Sequence, residues 1–581
     1  MIMMNIFLSN MYTSEKNIQI LISLMKSHGV KDIIISPGSM NLTLAASVQN
    51  DPDFNVYSCV DERSAAYMAC GISAEKGSPV AISCTGATAS RDYMPGLTEA
   101  FYRKLPILAI TSLSTRQNVG QLMGQQLDRS QHPKDLVVES VYLPIIKDEK
   151  DRVVCEREAN KALLALTLNG GGPVHIDLGS TIGSVNVETL PPVRTIKRYS
   201  NHDHLPKISA KRVAIMMGAH HVMKQDLIEA IDRFCSSYDG IVFNCNPSSY
   251  TGKFAAPVSL LFSQLGYDGE LNKPELCIHI GEVNTDAVGF HIFPKEVWRV
   301  NIDGAVKDRY DKLTAIFQMS ELEFFNHYAN ENVSNNSQLK EFEIADAKLR
   351  ASIPELPYSN VWIAQNIAQI IPENSKLHLG IVNSLRVFDY ALHKPKLITY
   401  ANTGGYGIDG CLSSLIGASI ASPDTEFYGI IGDLVLFYDL NVLGNRHVGK
   451  NIHLIVINND GGQQFRNFDH PASVFGEETD AFIAAAGHNG SKSQELIKNF
   501  AQNLGFKYLS ARNKEEFKEA IPHFIKVGES VIFECYTNKN EENDAIKAIR
   551  SIIPAKKTIK SVAKDLLGQE TINTLKKILN H

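Results

Sequence analysis

Two polar, glycine-rich turns are the stretches of this chain best suited to chemistry. Each follows an apolar run of strand length, at 427–431 and 453–457. The first turn carries Asp433, and the second carries Asn459 and Gly461. A carboxylate, an amide oxygen and a main-chain carbonyl are hard ligands that suit Mg²⁺ or Ca²⁺, with phosphate oxygens and water completing the shell.

The segment between the turns must bring them together. Residues 439–450 are long enough for one crossover helix, so 427–457 is predicted to be a βαβ unit with parallel strands. Both turns would then lie at the carboxyl edge of the sheet, where ligands bind. Gly432, Gly461 and Gly462 would let the backbone approach a diphosphate closely. The alternative is that these residues are ordinary turn signals after strands.

The spacing of the two turns resembles a known cofactor motif. Gly-Asp followed after 25–30 residues by Asn-Asn is typical of thiamine diphosphate enzymes, although Leu434 stands here where most members have glycine. With Tyr-Asp-Leu-Asn at 438–441 and Asn-Asn-Asp-Gly-Gly-Gln-Gln-Phe at 458–465, the chain resembles the MenD family. These enzymes are the 2-succinyl-5-enolpyruvyl-6-hydroxy-3-cyclohexene-1-carboxylate synthases of menaquinone biosynthesis.

The resemblance implies a cofactor and its ligands. Thiamine diphosphate would bind with Mg²⁺, for which Mn²⁺ or Ca²⁺ could substitute. Asp433, Asn459 and the Gly461 carbonyl would hold the metal. The other cofactor-binding residues implied are Glu62, Ser384, Asn402, Ile408, Gly432, Leu434 and Gly462.

Glu62 is the acidic residue singled out in the first third of the chain. It follows a predicted strand at 54–60 and precedes an Ala-rich helix, so the alternative is an acidic residue that favours a helix start. Asp-Glu-Arg-Ser at 61–64 is similar to the MenD family pattern at this place. The resemblance implies that the Glu62 carboxyl hydrogen-bonds N1′ of the aminopyrimidine ring. Gln121 would likewise reach the reacting carbons, and the alternative there is a polar loop.

A glycine-rich string at 402–410 follows another predicted strand. The resemblance implies that its Ile408 packs between the two cofactor rings and holds the bent conformation, while a simple glycine-rich turn explains only the glycines. The same comparison implies a set of substrate residues: Ser39, Met40, Gln121, Arg386, Phe388, Thr403 and Phe465.

The chain departs from the family where substrate carboxylates bind. Met40, Thr403 and Phe388 stand at family arginine positions, and Arg386 is two positions away from the last of them. Arginine pairs bidentately with carboxylates, so its loss weakens binding of a dicarboxylate. We therefore expect a small or singly charged 2-oxo acid as donor and an aldehyde or ketone as acceptor.

Three alternatives stay open at the level of sequence. One is the synthase reaction itself, with 2-oxoglutarate and isochorismate bound by arginines from other positions, such as Arg386, Arg116 or Arg466. Another is a simple 2-oxo acid decarboxylase, in which a proton is the acceptor. The third is a non-catalytic scaffold, against which the retention of Glu62, Asp433 and Asn459 argues.

Composition limits the class of protein and its partners. The net charge of −6 over 581 residues gives no reason to expect nucleic-acid binding. The 9 cysteines include no C-x-x-C pair, which favours a reducing compartment. With no signal-peptide pattern and no apolar run long enough to span a bilayer, we predict a cytoplasmic protein. No G-x-G-x-x-G occurs, and no FAD is predicted.

The predicted fold is α/β, with three doubly wound parallel-sheet domains of the thiamine diphosphate-enzyme type. Residues 1–190 would bind the pyrimidine, 191–345 would form a linker and a middle domain, and 346–540 would bind the diphosphate. The resemblance implies a homodimer or homotetramer with the active site at the interface. Residues 541–581 form a basic amphipathic tail that we expect to dock on its own protein, the alternative being a peripheral membrane or partner contact.

Overall fold

The computed structural model describes residues 11–283, 289–330, 334–392, 394, 396–488 and 493–555. Contacts divide the chain into two compact units, residues 11–207 with 297–320 and residues 208–296 with 321–555. Each unit is built mainly of parallel strands joined by helices, and this confirms the predicted α/β class.

The N-terminal region alternates strands and helices. Its strands are β1 (Tyr12–Thr13), β2 (Asp32–Ile35), β3 (Asn55–Ser58), β4 (Val80–Thr85), β5 (Ile107–Leu113), β6 (Glu139–Leu143), β7 (Val174–Gly179) and β8 (Val185–Val187). Its helices are α1 (Lys16–Ser27), α2 (Leu42–Val48), α3 (Glu62–Lys76), α4 (Ala89–Asp92), α5 (Met94–Arg103) and α6 (Glu149–Ala165). Six strands form one parallel sheet in the order β3-β2-β4-β5-β7-β6, and β1 pairs antiparallel with β8.

The middle region has a second set of parallel strands. They are β9 (Lys197–Tyr199), β10 (Val213–Met217), β11 (Ile241–Phe243), β12 (Ala255–Ala256), β13 (Leu276–Ile280), β14 (Glu296–Val300) and β15 (Leu313–Phe317). Helices α7 (Gln225–Tyr238), α8 (Ser259–Phe262) and α9 (Glu321–Tyr328) accompany them. The order is β12-β11-β10-β13 in the second unit and β14-β15-β9 in the first.

The C-terminal region carries the sheet beneath the two turns. Its strands are β16 (Lys376–Leu379), β17 (Ile398–Ala401), β18 (Phe427–Gly432), β19 (Ile452–Asn458), β20 (Lys507–Ala511) and β21 (Val531–Tyr536), in the order β17-β16-β18-β19-β21-β20. Its helices are α10 (Ser337–Ala351), α11 (Asn360–Ile367), α12 (Asn383–Phe388), α13 (Cys411–Ala421), α14 (Asp433–Asp439), α15 (Thr479–Phe482), α16 (Leu496–Asn503), α17 (Lys514–Phe524) and α18 (Lys539–Arg550).

The central βαβ unit is present, but its helix lies elsewhere than predicted. Strands β18 and β19 are parallel, with Phe427 opposite Ile452. The crossover helix expected at 439–450 is wrong, because α14 begins at Asp433 directly after the strand and a short 3₁₀ turn, Leu440–Gly444, follows it. Gly444 and Gly449 lie inside the predicted segment and weaken a helix there.

Much of the predicted tail lies outside the described residues. Helix α18 ends at Arg550, and the basic residues from Lys556 onward are not described. Among the described residues, no helix combines the length and the apolar character needed to cross a bilayer.

Candidate functional site: a cavity at the carboxyl edge of the C-terminal sheet

Asp433 is a buried carboxylate at the end of β18. It is 4% exposed, and its two oxygens accept the main-chain N–H groups of Leu434 at 2.9 Å and Gly461 at 3.0 Å. Burial raises the pKa of Asp433 to about 6, although these hydrogen bonds oppose the shift. The second hydrogen bond joins the turn after β18 to the turn after β19, as the βαβ arrangement requires.

The two asparagines that close β19 have different environments. Asn458 donates from Nδ2 to Oε1 of Glu534 at 2.6 Å. The Oδ1 of Asn459 is buried and has no hydrogen-bond partner among the described residues. A buried unsatisfied amide oxygen is costly, so the Oδ1 of Asn459 could be satisfied by a ligand.

Gly461 requires glycine for two reasons. Its φ of +140° lies in a region that side chains disfavour, and a Cβ atom there would come within 2.7 Å of the Ala484 carbonyl oxygen. The next residue, Gly462, donates its N–H to the same carbonyl at 2.6 Å. The backbone of this turn is therefore fixed against the segment that contains Ala484.

A cavity of 210 Å³ brings most of the predicted residues together. Its wall includes the following residues singled out from sequence: Ser384, Ile408, Gly432, Asp433, Leu434, Asn459, Gly461, Gly462 and Phe465. It also includes polar residues to which the sequence assigned no role, namely Asn360, Asn383, Gln463 and Gln464. Gln463 and Gln464 belong to the string at 458–465, whereas Asn360 lies in no motif and only the packing of a distant helix places it there.

The turn before α12 contributes a strained residue to this wall. Val382 has φ +69° and ψ −113°, and it lines the cavity beside Asn383 and Ser384. A positive φ at a β-branched residue costs on the order of 1–3 kcal/mol, and such strain tends to collect at ligand sites. The turn after β16 is thus held in a conformation that local preference would not select.

Several predicted residues do not line this cavity. Asn402 donates from Nδ2 to the Gly410 carbonyl at 3.1 Å, which stabilises its own loop. Thr403 is 4% exposed and Phe388 is fully buried, and neither lines this cavity, so their contact with substrate stays a prediction. Because Phe388 is apolar and lies in the interior, it belongs to the packing of α12.

Arg386 lines a second cavity, of 140 Å³, that shares Asn383 and Gln464 with the first. His470 and Arg550 lie in its wall as well. The Arg550 guanidinium is paired with Asp469. Because Asp469 also lines this cavity, the positive charge of Arg550 is balanced there.

Glu62 lies at the carboxyl edge of the N-terminal sheet. It is the first residue of α3, and the side chain of the preceding Asp61 caps the helix by accepting the Ser64 N–H at 2.9 Å. Glu62 is half-buried. The loops after β2 and β5 reach the same edge of this parallel sheet, and they carry Ser39, Met40 and Gln121.

The loop that contains Gln121 is anchored by a buried ion pair. Asp177, at the end of β7, accepts from Nη2 of Arg129 at 2.7 Å and from Nε of Arg116 at 3.1 Å. Gln121 itself is exposed. Arg116, which the sequence offered as an alternative substrate arginine, is thus engaged in holding the loop.

Comparisons with known proteins show the family of this chain. A family model described as "Thiamine pyrophosphate enzyme, N-terminal TPP binding domain" matches residues 16–132. A protein of Phocaeicola vulgatus named 2-succinyl-5-enolpyruvyl-6-hydroxy-3-cyclohexene-1-carboxylate synthase is 30% identical over 559 residues, which cover 92% of this chain and 98% of the relative. The chain belongs to this synthase family. Proteins of Bacteroides fragilis (30% over 564 residues, 92% and 99% covered) and Bacteroides thetaiotaomicron (29% over 560 residues, 92% and 98% covered) bear the same name.

The chain is thus a thiamine diphosphate-dependent enzyme of the synthase family, and the residues of the 210 Å³ cavity suit that cofactor with a cation. The buried carboxylate of Asp433 and the unpartnered Oδ1 of Asn459 form a hard-oxygen pair. Among the described residues, no cluster of three His, Cys, Asp or Glu side chains could hold a metal by itself. A cation at Asp433 would therefore need main-chain and phosphate oxygens as well.

Proposed function

We propose that the chain uses thiamine diphosphate and Mg²⁺ to decarboxylate a 2-oxo acid and to join the remaining carbon to a carbonyl acceptor. The observation that supports this is that a single cavity is lined by Ser384, Ile408, Asp433, Asn459 and Gly461. The unpartnered Asn459 Oδ1 in that wall is the atom that a bound cation would satisfy.

Each residue of the proposed site has its own role. Thiamine diphosphate, when bound, supplies a ring that stabilises the negative charge left when the donor loses CO₂. Asp433, Asn459 and the Gly461 carbonyl would hold Mg²⁺ against the diphosphate, and Ile408 would pack against the cofactor rings. Glu62 would hold a proton at N1′ of the pyrimidine, and Gln121 would orient the reacting groups.

The substrate proposal follows from charge. The family has arginine where this chain has Met40, Thr403 and Phe388. The last two are buried and neutral, so they bring no positive charge to the cavity. Each lost charge-assisted pair is worth about 1.5–3 kcal/mol, and a small or singly charged donor such as pyruvate suits this wall better than 2-oxoglutarate.

The synthase reaction named for the relatives is the second candidate. The observation that favours it is the cavity lined by Arg386, His470, Asp469 and Arg550, which adjoins the first cavity through Asn383 and Gln464. An arginine in this wall could bind a second carboxylate of the donor or the acceptor.

We also propose that the enzyme is a homodimer or homotetramer in which Glu62 of one copy serves the Asp433 cavity of another. The support comes from the family resemblance and from apolar side chains that are exposed beside and on the Glu62 helix, Val60 and Tyr67, and in the Gln121 loop, Leu122. A symmetric interface would cover such side chains.

A donor screen tests the substrate proposal. Purified enzyme with thiamine diphosphate and Mg²⁺ is incubated with single 2-oxo acids, and CO₂ release is followed with and without aldehyde acceptors. Fastest turnover of pyruvate or another small donor supports the proposal. Efficient turnover of 2-oxoglutarate together with consumption of isochorismate assigns the synthase reaction instead, and CO₂ release that yields only the free aldehyde assigns a simple decarboxylase.

A further inference from the structure

Asn360 is a polar residue of the cofactor cavity that no motif accounts for. It is the first residue of α11, whose N-cap Ser359 accepts the Trp362 N–H at 3.3 Å. The side chain lines the cavity together with Gly432, Asp433 and Gly461, yet it is only 4% exposed.

The amide of Asn360 lacks a partner on the protein side. Its Oδ1 is buried without a hydrogen bond among the described residues. Leaving a buried amide oxygen unsatisfied costs on the order of 1–3 kcal/mol, and native interiors rarely tolerate it. A ligand in the cavity would remove that cost.

A second buried group fixes the main chain of Asn360. The Oε1 of Glu542, on α18, accepts the Asn360 N–H at 2.9 Å, and Glu542 is 2% exposed. Among the described residues no cation is paired with this carboxyl group. Burying a carboxyl group without a cation partner is costly, so its hydrogen bond to the start of α11 points to a positional role.

We propose that Asn360 is a further cofactor contact, directed at the diphosphate end of the cavity, and that Glu542 is the positioning residue that holds it there. The proposal rests on the thiamine diphosphate function proposed above. The amide carries both a donor and an acceptor, and a hydrated diphosphate with its cation offers a partner to each. Glu542 acts through the main chain of Asn360 and does not itself line the cavity.

Calorimetric titration of the full-length protein with thiamine diphosphate at saturating Mg²⁺ tests the contact. Asn360→Ala should weaken binding about tenfold to a hundredfold, the range for one hydrogen bond to a charged group. Asn360→Asp, which conserves shape but adds a negative charge near the diphosphate, should weaken it further. Asn366→Ala is the matched control, because Asn366 bonds the Trp362 carbonyl on the same helix and does not line the cavity.

Glu542 is tested by a double-mutant cycle. Glu542→Ala should weaken cofactor binding, Glu542→Gln should restore it because the amide oxygen still accepts the Asn360 N–H, and Glu542→Ala should add no further loss to Asn360→Ala. A merely structural Glu542 would lower the unfolding temperature without this coupling in affinity, and that outcome overturns its positioning role.

The titrations distinguish failure of the Asn360 contact from failure of the proposed thiamine diphosphate function. Binding by the wild type with Asn360→Ala and Asn360→Asp both unchanged within twofold overturns the Asn360 contact alone. A wild-type chain that binds no thiamine diphosphate, or one in which Asp433→Ala leaves affinity unchanged, overturns the proposed function and this contact with it.

Discussion

The Nη1 of Arg466 donates to the main-chain carbonyl of Asn459 at 3.0 Å, so an arginine side chain fixes the turn that presents the proposed metal ligand. Its Nη2 donates to the next carbonyl, that of Asp460, at 3.0 Å, and its Nε donates to Asp480 at 2.7 Å. The side chain is 7% exposed. Arg466 is therefore occupied within the turn, which removes it from the arginines that could bind a substrate carboxylate.

Replacement of this arginine tests its role in the turn. Arg466→Lys keeps the charge, but an ammonium group cannot form the three-sided set of hydrogen bonds made by the guanidinium. We expect the affinity for Mg²⁺ with thiamine diphosphate to fall about tenfold, from the loss of roughly one charged hydrogen bond. Calorimetry gives the affinity, and Arg446→Lys, at an exposed position, is the control. Equal affinities in both variants would contradict the role.

The proposed metal ligands give a sharper prediction. Asp433→Ala should abolish Mg²⁺-dependent binding of thiamine diphosphate, because it removes the only carboxylate proposed as a ligand. Asn459→Ala should weaken it strongly, whereas Asn458→Ala should act mainly on stability, since Asn458 bonds Glu534. Titration of each variant at fixed cofactor concentration measures the effect. Unchanged binding in Asp433→Ala would disprove the metal site.

The proposed assembly predicts a concentration-dependent activity. Light scattering should give the mass of a dimer or a tetramer, and dilution should lower specific activity when subunits separate. Tyr67→Glu introduces a charge on α3, where the tyrosine is 47% exposed, and should shift the mass toward the monomer. A monomer that stays fully active at nanomolar concentration would contradict a site shared between copies.

The sheet beneath the site could be predicted from sequence because its strands are buried on both faces. Such strands are continuous apolar runs, and the predicted runs at 427–431 and 453–457 lie within β18 and β19. The parallel pairing of β18 and β19 followed from a connection too long for a hairpin. Asp433 and Asn459 then had to meet at one edge.

Other parts of the site depend on tertiary packing that no local pattern records. The helix after β18 begins at Asp433 itself, because Gly432 ends the strand and Gly444 and Gly449 disfavour the later segment. Phe388 is buried although its helix also carries Ser384, which faces the cavity. Asn360 enters the wall from a helix far away in sequence, and only the contact with Glu542 shows why it is held there.

Glu542 also predicts how the stability of the cofactor-free enzyme depends on pH. Burial raises the pKa of its carboxyl group to about 7, and the negative charges of Glu541 and Asp433 act in the same direction. The nearby Thr537 hydroxyl and the hydrogen bond from the Asn360 main chain oppose the shift.

The raised pKa of Glu542 sets the direction in which stability changes with pH. A carboxyl group whose pKa is about 7 in the folded protein, against an ordinary value of 4.5, contributes stability that is fully present below pH 4.5 and is lost as pH rises through 7. Ionisation of Glu542 should therefore lower the free energy of unfolding of the wild-type protein by about 3 kcal/mol at pH 8, and this loss is absent at pH 4. Glu542→Gln keeps the acceptor oxygen and cannot ionise, so it should unfold at a higher temperature than the wild type at pH 8. The difference in unfolding temperature should shrink as the pH is lowered through 7 toward 5.

Scanning calorimetry without cofactor or Mg²⁺ measures both proteins. Glu541→Gln, at the exposed neighbouring position, is the control and should differ little from wild type at either pH. A constant difference between Glu542→Gln and wild type across this range would show that Glu542 does not titrate there.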